Sequence, residues 1–129
     1  MGASILKGKQ FYIFAKNYLR MTLIKSISGI RGTIGGEVGA NLTPLDIVKF
    51  ASAYGMWLKN RTSGSLKVVV GRDARMSGAI VQNLVQSSLL SLGIDVVDLG
   101  LSTTPTVEVA VPLENANGGI ILTASHNPK

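Results

Sequence analysis

Along residues 21–129 the apolar positions follow two alternating rhythms, a short continuous run and a helical stripe. Residues 23–27 form a short apolar run that predicts a first strand. The stretch SGIRGTIGGEVG follows, with Gly29, Gly32, Gly35, Gly36 and Gly39 among eleven residues, which predicts a loop or an irregular hairpin rather than a helix. Thr43-Pro44-Leu45-Asp46 reads as a helix start: Thr43 caps, Pro44 suits the first helical position and Asp46 complements the positive helix end. Leu45, Val48, Ala51 (or Ser52), Gly55 and Leu58 then recur at helical spacing, widened by Ile47, Phe50, Tyr54 and Trp57, and the helix is expected to end between Asn60 and Gly64. Residues 67–71, KVVVG, make a β-branched run typical of a buried strand.

The loop RDARMSG leads to a second helix, with Ser77 as its expected cap and Val81, Leu84, Val85, Ser88, Leu89 and Leu92 as its inward stripe. Gly93 stands where a left-handed C-terminal residue belongs. Residues 94–99 predict another strand, Thr104-Pro105 opens a third helix running to about Leu113, and residues 119–123 predict the last strand. Strands alternating with helices imply a three-layer α/β/α sandwich around a mostly parallel (mixed) sheet of about four strands. In such sheets ligands gather beyond the carboxyl ends of the strands. Three polar loops leave strand ends: residues 28–36, 72–78 and 124–129.

Composition narrows the picture. The 129 residues suit one domain, and abundant aliphatics with few aromatics argue against disorder. With no cysteine, disulfides and thiolate metal sites are excluded and a cytoplasmic setting fits; one histidine cannot build a His-rich metal site. The net charge of +6 is uneven: residues 1–20 hold Lys7, Lys9, Lys16 and Arg20 and no acid, whereas residues 21–129 hold nine basic and seven acidic residues. A nucleic-acid partner therefore rests on the leader alone. That basic extension is expected to lie outside the fold, as sequence translated ahead of a start at Met21 or a cloning remnant; its apolar stretch is too short for a secretory signal. No stretch approaches a membrane span.

The three loops carry the candidate chemistry. In TASHNP, the Asn-Pro pair favours a turn and sets Ser125 on a loop tip. Two readings stand there: an ordinary turn whose Ser and Asn bond their own backbone, or a displayed nucleophile. Adjacent Ser125 and His126 do not by themselves make a Ser–His dyad, but a serine that exchanges a phosphoryl group needs exposure and cations more than an adjacent base. In SGIRG, glycines bring backbone N–H groups close to an anion and Arg31 offers a forked charge; a flexible hairpin with a solvated arginine is the alternative. In GRDAR, Arg72, Asp73 and Arg75 are read as an ion-pair brace joining loops.

Taken together, SGIRG near the start, GRDAR after the second strand and TASHNP at the end resemble the first domain of the α-D-phosphohexomutases, the family of phosphoglucomutases, phosphomannomutases and phosphoglucosamine mutases. The resemblance runs from about Met21 to Lys129. It implies that Ser125 carries the transferable phosphate and exchanges it with a hexose or hexosamine phosphate through a bound sugar bisphosphate. It implies that His126 stands beside that serine, that Arg31 with Ser28 and Gly32 binds phosphate, and that Mg²⁺ contacts the protein through the phosphate on Ser125. The remaining partners it implies are a small-molecule sugar phosphate and the rest of a multidomain enzyme, with no nucleic acid or membrane.

The resemblance also has gaps. The family pattern continues past the proline into a lysine-containing stretch, and its Asp-Gly-Asp-Gly-Asp metal loop belongs to a second domain; no Asp-x-Asp occurs here. The chain is thus expected to be an N-terminal piece, residues 21–129 ending just after the phosphoserine loop. Its parent is expected to be an intramolecular phosphotransferase, and the piece alone inactive. The competing expectation is a non-catalytic phosphate- or partner-binding module derived from that domain.

Overall fold

The computed structural model describes residues 21–124. The basic extension, Ser125 and His126 lie outside the described residues. The chain divides into two compact units between Thr43 and Pro44.

The first unit is small. Strands β1 (Ile24–Ser26) and β2 (Gly29–Arg31) pair antiparallel, Ile24 opposite Arg31 and Ser26 opposite Gly29. Gly29 takes φ 121, a conformation that lets the chain reverse at once, so β1 finds its partner locally. The first strand therefore does not extend the main sheet, which among the described residues has three strands rather than about four. The glycine-rich stretch after β2 is stitched by side chains. Asn41 Oδ1 accepts the Glu37 N–H at 3.0 Å, while its Nδ2 donates to Thr33 Oγ1 at 2.9 Å and Thr22 Oγ1 at 3.1 Å. Gly36, at φ 83, lies so close to Asn41 that a Cβ there would fall 2.4 Å from Oδ1.

The second unit is an α/β fold. It runs α1 (Pro44–Lys59), β3 (Lys67–Arg72), α2 (Gly78–Ser91), β4 (Asp95–Leu101), α3 (Thr104–Leu113) and β5 (Gly118–Leu122). The sheet order is β4-β3-β5, all parallel, with Val69 level with Val97 on one side and Gly119 on the other. Val68, Val69 and Val70 of the central strand are fully buried, as consecutive residues must be when both faces are covered.

Glycines show which helix covers which face. A Cβ on Gly119 would meet Val107 and Val111 of α3, and one on Gly71 would meet Val107, so odd-numbered β3 positions face α3. A Cβ on Gly118 would meet Tyr54 and Leu58 of α1, and one on Gly78 would meet Arg72; the other face belongs to α1 and α2. The helices thus flank the sheet in three layers.

The helices stand where the sequence puts them, α1 ending at Lys59, just short of the expected Asn60 to Gly64, and each expected stripe is buried in part: Ala51, Gly55 and Leu58 on α1, and Val85, Ser88 and Leu89 on α2. On α1 the buried apolar residues are Ile47, Ala51 and Leu58, whereas Leu45 and Val48 are exposed. Gly55 brings the helix backbone against Leu89, Leu92 and Ile94; a Cβ there would come 2.8 Å from Leu92 Cδ1. Trp57 stays half exposed, stacked on Tyr54 and covered by the Arg61 guanidinium 4.6 Å from its ring centre. On α2, Gln82 is buried alongside Val85, Ser88 and Leu89. Ser77 is not the expected cap: its φ of −73° and ψ of −16° are helical, and its side chain makes no capping bond. Gly93 does take the left-handed φ, 71°. On α3, Thr103 caps by accepting the Thr106 N–H.

Candidate functional site

The carboxyl end of the sheet gathers the polar side chains of the second unit. Strands β3 and β5 end side by side, Arg72 level with Leu122, and the Asp73 N–H continues the ladder to the Leu122 carbonyl at 2.9 Å. Strand β5 ends at Leu122, one residue earlier than the sequence suggests; beyond it the Thr123 hydroxyl and the backbone N–H of Ala124 both go to a side chain.

That side chain is Asp73. Its Oδ1 accepts the backbone N–H of Arg75 at 3.1 Å, an Asx turn that folds the loop on itself. Its Oδ2 accepts the Thr123 hydroxyl at 3.3 Å and the Ala124 N–H at 3.2 Å. Arg75 Nε lies 3.5 Å from the same oxygen, and Arg75 Nη2 donates to the Ala124 carbonyl at 3.1 Å. Partial burial pushes the Asp73 carboxyl up, but the N–H groups of Arg75 and Ala124, the Thr123 hydroxyl and the Arg75 charge outweigh it, so the group is held below the ordinary carboxylate value.

Arg72 takes a different direction. Its Nη1 donates to the Asp73 carbonyl at 3.1 Å, and its Nε is buried without a hydrogen-bond partner. Its charge acts on Asp98, one strand away in β4. Asp98 is held below its ordinary value chiefly by the Gln86 amide, then by the Gly100 N–H, against partial burial, with Gln82 and Arg72 adding to it. The Gln86 Nε2 itself falls outside hydrogen-bond geometry, so its effect is that of a nearby amide dipole, whereas Gln82 Nε2 and the Gly100 N–H bond Asp98 Oδ1 directly.

In the first unit Arg31 Nη2 donates to Ser28 Oγ at 3.0 Å, and Ser28 Oγ lies 3.0 Å from Ser26 Oγ. Gly32 packs against Leu42, where a Cβ would stand 3.1 Å from both Leu42 Cβ and its N. Of the residues singled out in the sequence, the structure brings Asp73 and Arg75 together around Thr123 and Ala124, and Arg31 together with Ser28. The residues passed over are Asn41, Gln82, Gln86 and Asp98. For Asp98 a signal existed: an acidic residue in the middle of a strand of mostly apolar residues, a position where carboxylates are uncommon.

Among the described residues no three Asp, Glu, His or Cys side chains gather in a group fit for one metal ion. No helix among them is long and apolar enough to cross a membrane.

Comparison with known proteins gives a consistent result. The family model of phosphoglucomutase/phosphomannomutase alpha/beta/alpha domain I matches residues 23–129. A phosphoglucomutase/phosphomannomutase of Thermococcus kodakarensis is 42% identical over 100 residues, covering 78% of this chain and 21% of that protein. A phosphoglucosamine mutase of Lactococcus lactis is 42% identical over 99 residues, covering 75% of this chain and 22% of that protein. A crystal structure of a phosphoglucomutase/phosphomannomutase family protein from Burkholderia thailandensis superposes with a TM-score of 0.60 at 31% identity, covering 72% of this chain and 22% of that one. The chain thus spans about a fifth of the length of the relatives it matches. On the match across residues 23–129, the chain belongs to the phosphoglucomutase/phosphomannomutase family and represents its alpha/beta/alpha domain I.

Proposed function

We propose that this chain is the phosphoserine-bearing domain of a cytoplasmic phosphohexomutase, with Ser125 as the phosphoryl carrier. The observation that carries the reading is the domain I match through residue 129, which takes in the TASHNP segment. In the proposed reaction the bond from phosphorus to Ser125 Oγ breaks as a hydroxyl oxygen of a hexose or hexosamine monophosphate attacks, and the hydroxyl proton leaves to a base. The resulting sugar bisphosphate turns over, and its other phosphate returns to the serine. Such transfers depend on positioning and charge neutralisation more than on covalent chemistry by the protein, so a serine hydroxyl served by cationic groups suits them. Arg31 is the proposed phosphate-binding residue, with Ser28 and Gly32 shaping its loop, and His126 is proposed to orient the loop or contact the sugar phosphate. The family resemblance brings Mg²⁺ in through the phosphate on Ser125; residues 21–124 add no ligand cluster to it.

The test uses the polypeptide extended to the length of its relatives, with glucose 1,6-bisphosphate as activator. Wild type should carry one phosphate, mapped to Ser125, and Ser125→Ala should lose turnover while melting normally. Near-wild-type turnover in that variant, or a phosphate on a different residue, would defeat the proposal.

A further inference from the structure

We infer that Asp73 and Arg75 are positioning residues for Ser125, acting through the two peptide groups of Ala124. The role rests on the reading of Ser125 as phosphoryl carrier; the geometry stands without it. Ala124 immediately precedes Ser125. Its N–H, part of the peptide group shared with Thr123, is held by Asp73 Oδ2 at 3.2 Å. Its carbonyl, part of the peptide group shared with Ser125, is held by Arg75 Nη2 at 3.1 Å.

A peptide group is planar, so a hydrogen bond to its oxygen or its N–H restrains the whole plane. With both planes of Ala124 restrained, its two backbone dihedrals lose most of their freedom. The direction in which the chain enters Ser125 is then set by the GRDAR loop rather than by Ser125 itself. The clamp is itself braced. Asp73 is tied to β5 through the Leu122 carbonyl, and Arg75 is tied to Asp73 by its backbone N–H at 3.1 Å and by its Nε at 3.5 Å. The Thr123 hydroxyl adds a third anchor on Asp73 Oδ2. Phosphoryl transfer needs the reacting oxygen aligned with its partner, and small misplacements of a reacting group are costly in rate. A clamp one residue upstream bears on that alignment.

A plain structural brace would also hold the end of β5, so the test separates the two peptide groups. It uses the 129-residue chain, isotope-labelled, with hydrogen exchange at the Ala124 amide and the Ser125 backbone carbon shifts as readouts. Asp73→Ala should speed Ala124 exchange by at least about tenfold, the scale of one charge-assisted hydrogen bond, and move the Ser125 shifts. Arg75→Ala should leave Ala124 exchange slow, because Asp73 still holds the N–H, yet move the Ser125 shifts. Asp73→Asn, which keeps an acceptor oxygen, should restore part of the protection; it and Arg75→Ala carry the test if Asp73→Ala does not fold. Ser125 shifts that stay fixed in all three variants would reduce the pair to a brace. So would Ala124 exchange that ignores Asp73. Mapping the phosphate in the longer polypeptide keeps the two claims apart. A phosphate on another residue removes the functional reading and the positioning role with it; fixed shifts with the phosphate on Ser125 remove the positioning role alone.

Discussion

Asp73 accepts the Ala124 N–H at 3.2 Å across 51 positions of sequence. The contact exists because β3 and β5 are adjacent parallel strands that end level with each other, so the loop leaving one lies beside the loop leaving the other. A short Asx turn aims the carboxylate back across the sheet end, with one oxygen for its own loop and one for the next strand.

The first prediction concerns pH. Both Asp73 and Asp98 are held below the ordinary carboxylate value of 3.8, so each is ionised more readily folded than unfolded. Their contribution to stability is complete above that value and is lost as pH falls through the lowered folded value. Asp73→Asn and Asp98→Asn should each flatten the fall in melting temperature between neutral pH and about pH 2. Slopes equal to wild type in both variants would show that neither group is linked to folding.

The second concerns packing between β5 and α3. A Cβ on Gly119 would stand 2.9 Å from both Val107 Cγ1 and Val111 Cγ2. Valines in a helix have little rotamer freedom, so neither can step aside easily. Gly119→Ala should cost about 1–3 kcal/mol by urea unfolding, the range for an overpacked core. A neutral substitution would mean that α3 shifts freely over the sheet.

The third contrasts two helix starts that look alike in sequence. Thr103 accepts the Thr106 N–H at 3.4 Å, a long capping bond, whereas Ser77 makes none. Thr103→Ala should cost about 0.5–1 kcal/mol, the low end for a cap. Ser77→Ala should stay within about 0.5 kcal/mol of wild type, as other surface changes do. Equal losses measured by chemical unfolding would contradict the assigned caps.

The fourth concerns activity. Added to glucose 1-phosphate with glucose 1,6-bisphosphate and Mg²⁺, the 129-residue chain should not form glucose 6-phosphate at enzymatic rates. Residues 21–124 provide no cluster of metal-binding side chains, and charge neutralisation at the phosphate is a main source of rate in such reactions. Robust turnover by this chain would show that the site is complete without further domains.

The order and type of the elements were legible in the sequence. The KVVVG run, the Thr104-Pro105 start and Gly93 each act through neighbours in the chain, and β3, α3 and the left-handed turn stand where those signals put them. SGIRG, GRDAR and TASHNP likewise pointed to the family, and the domain I match covers all three.

Tertiary structure decided what local signals leave open. Helical periodicity shows that α1 has an apolar face but not which residues of that face are buried. With Gly55 packed closely, Ile47, Ala51 and Leu58 are buried, whereas Leu45 and Val48, members of the same expected face, stay exposed. The strand at Ile24 was visible, yet only the reversal at Gly29 determined that it pairs with β2 instead of joining the sheet. Ser77 had the composition of a cap, but its helical dihedrals keep its hydroxyl from serving as one. The grip of Asp73 and Arg75 on Ala124 depends on which strands are neighbours and where they end. That information is held in contacts between residues far apart in the chain, and no local pattern of apolar and polar positions encodes it.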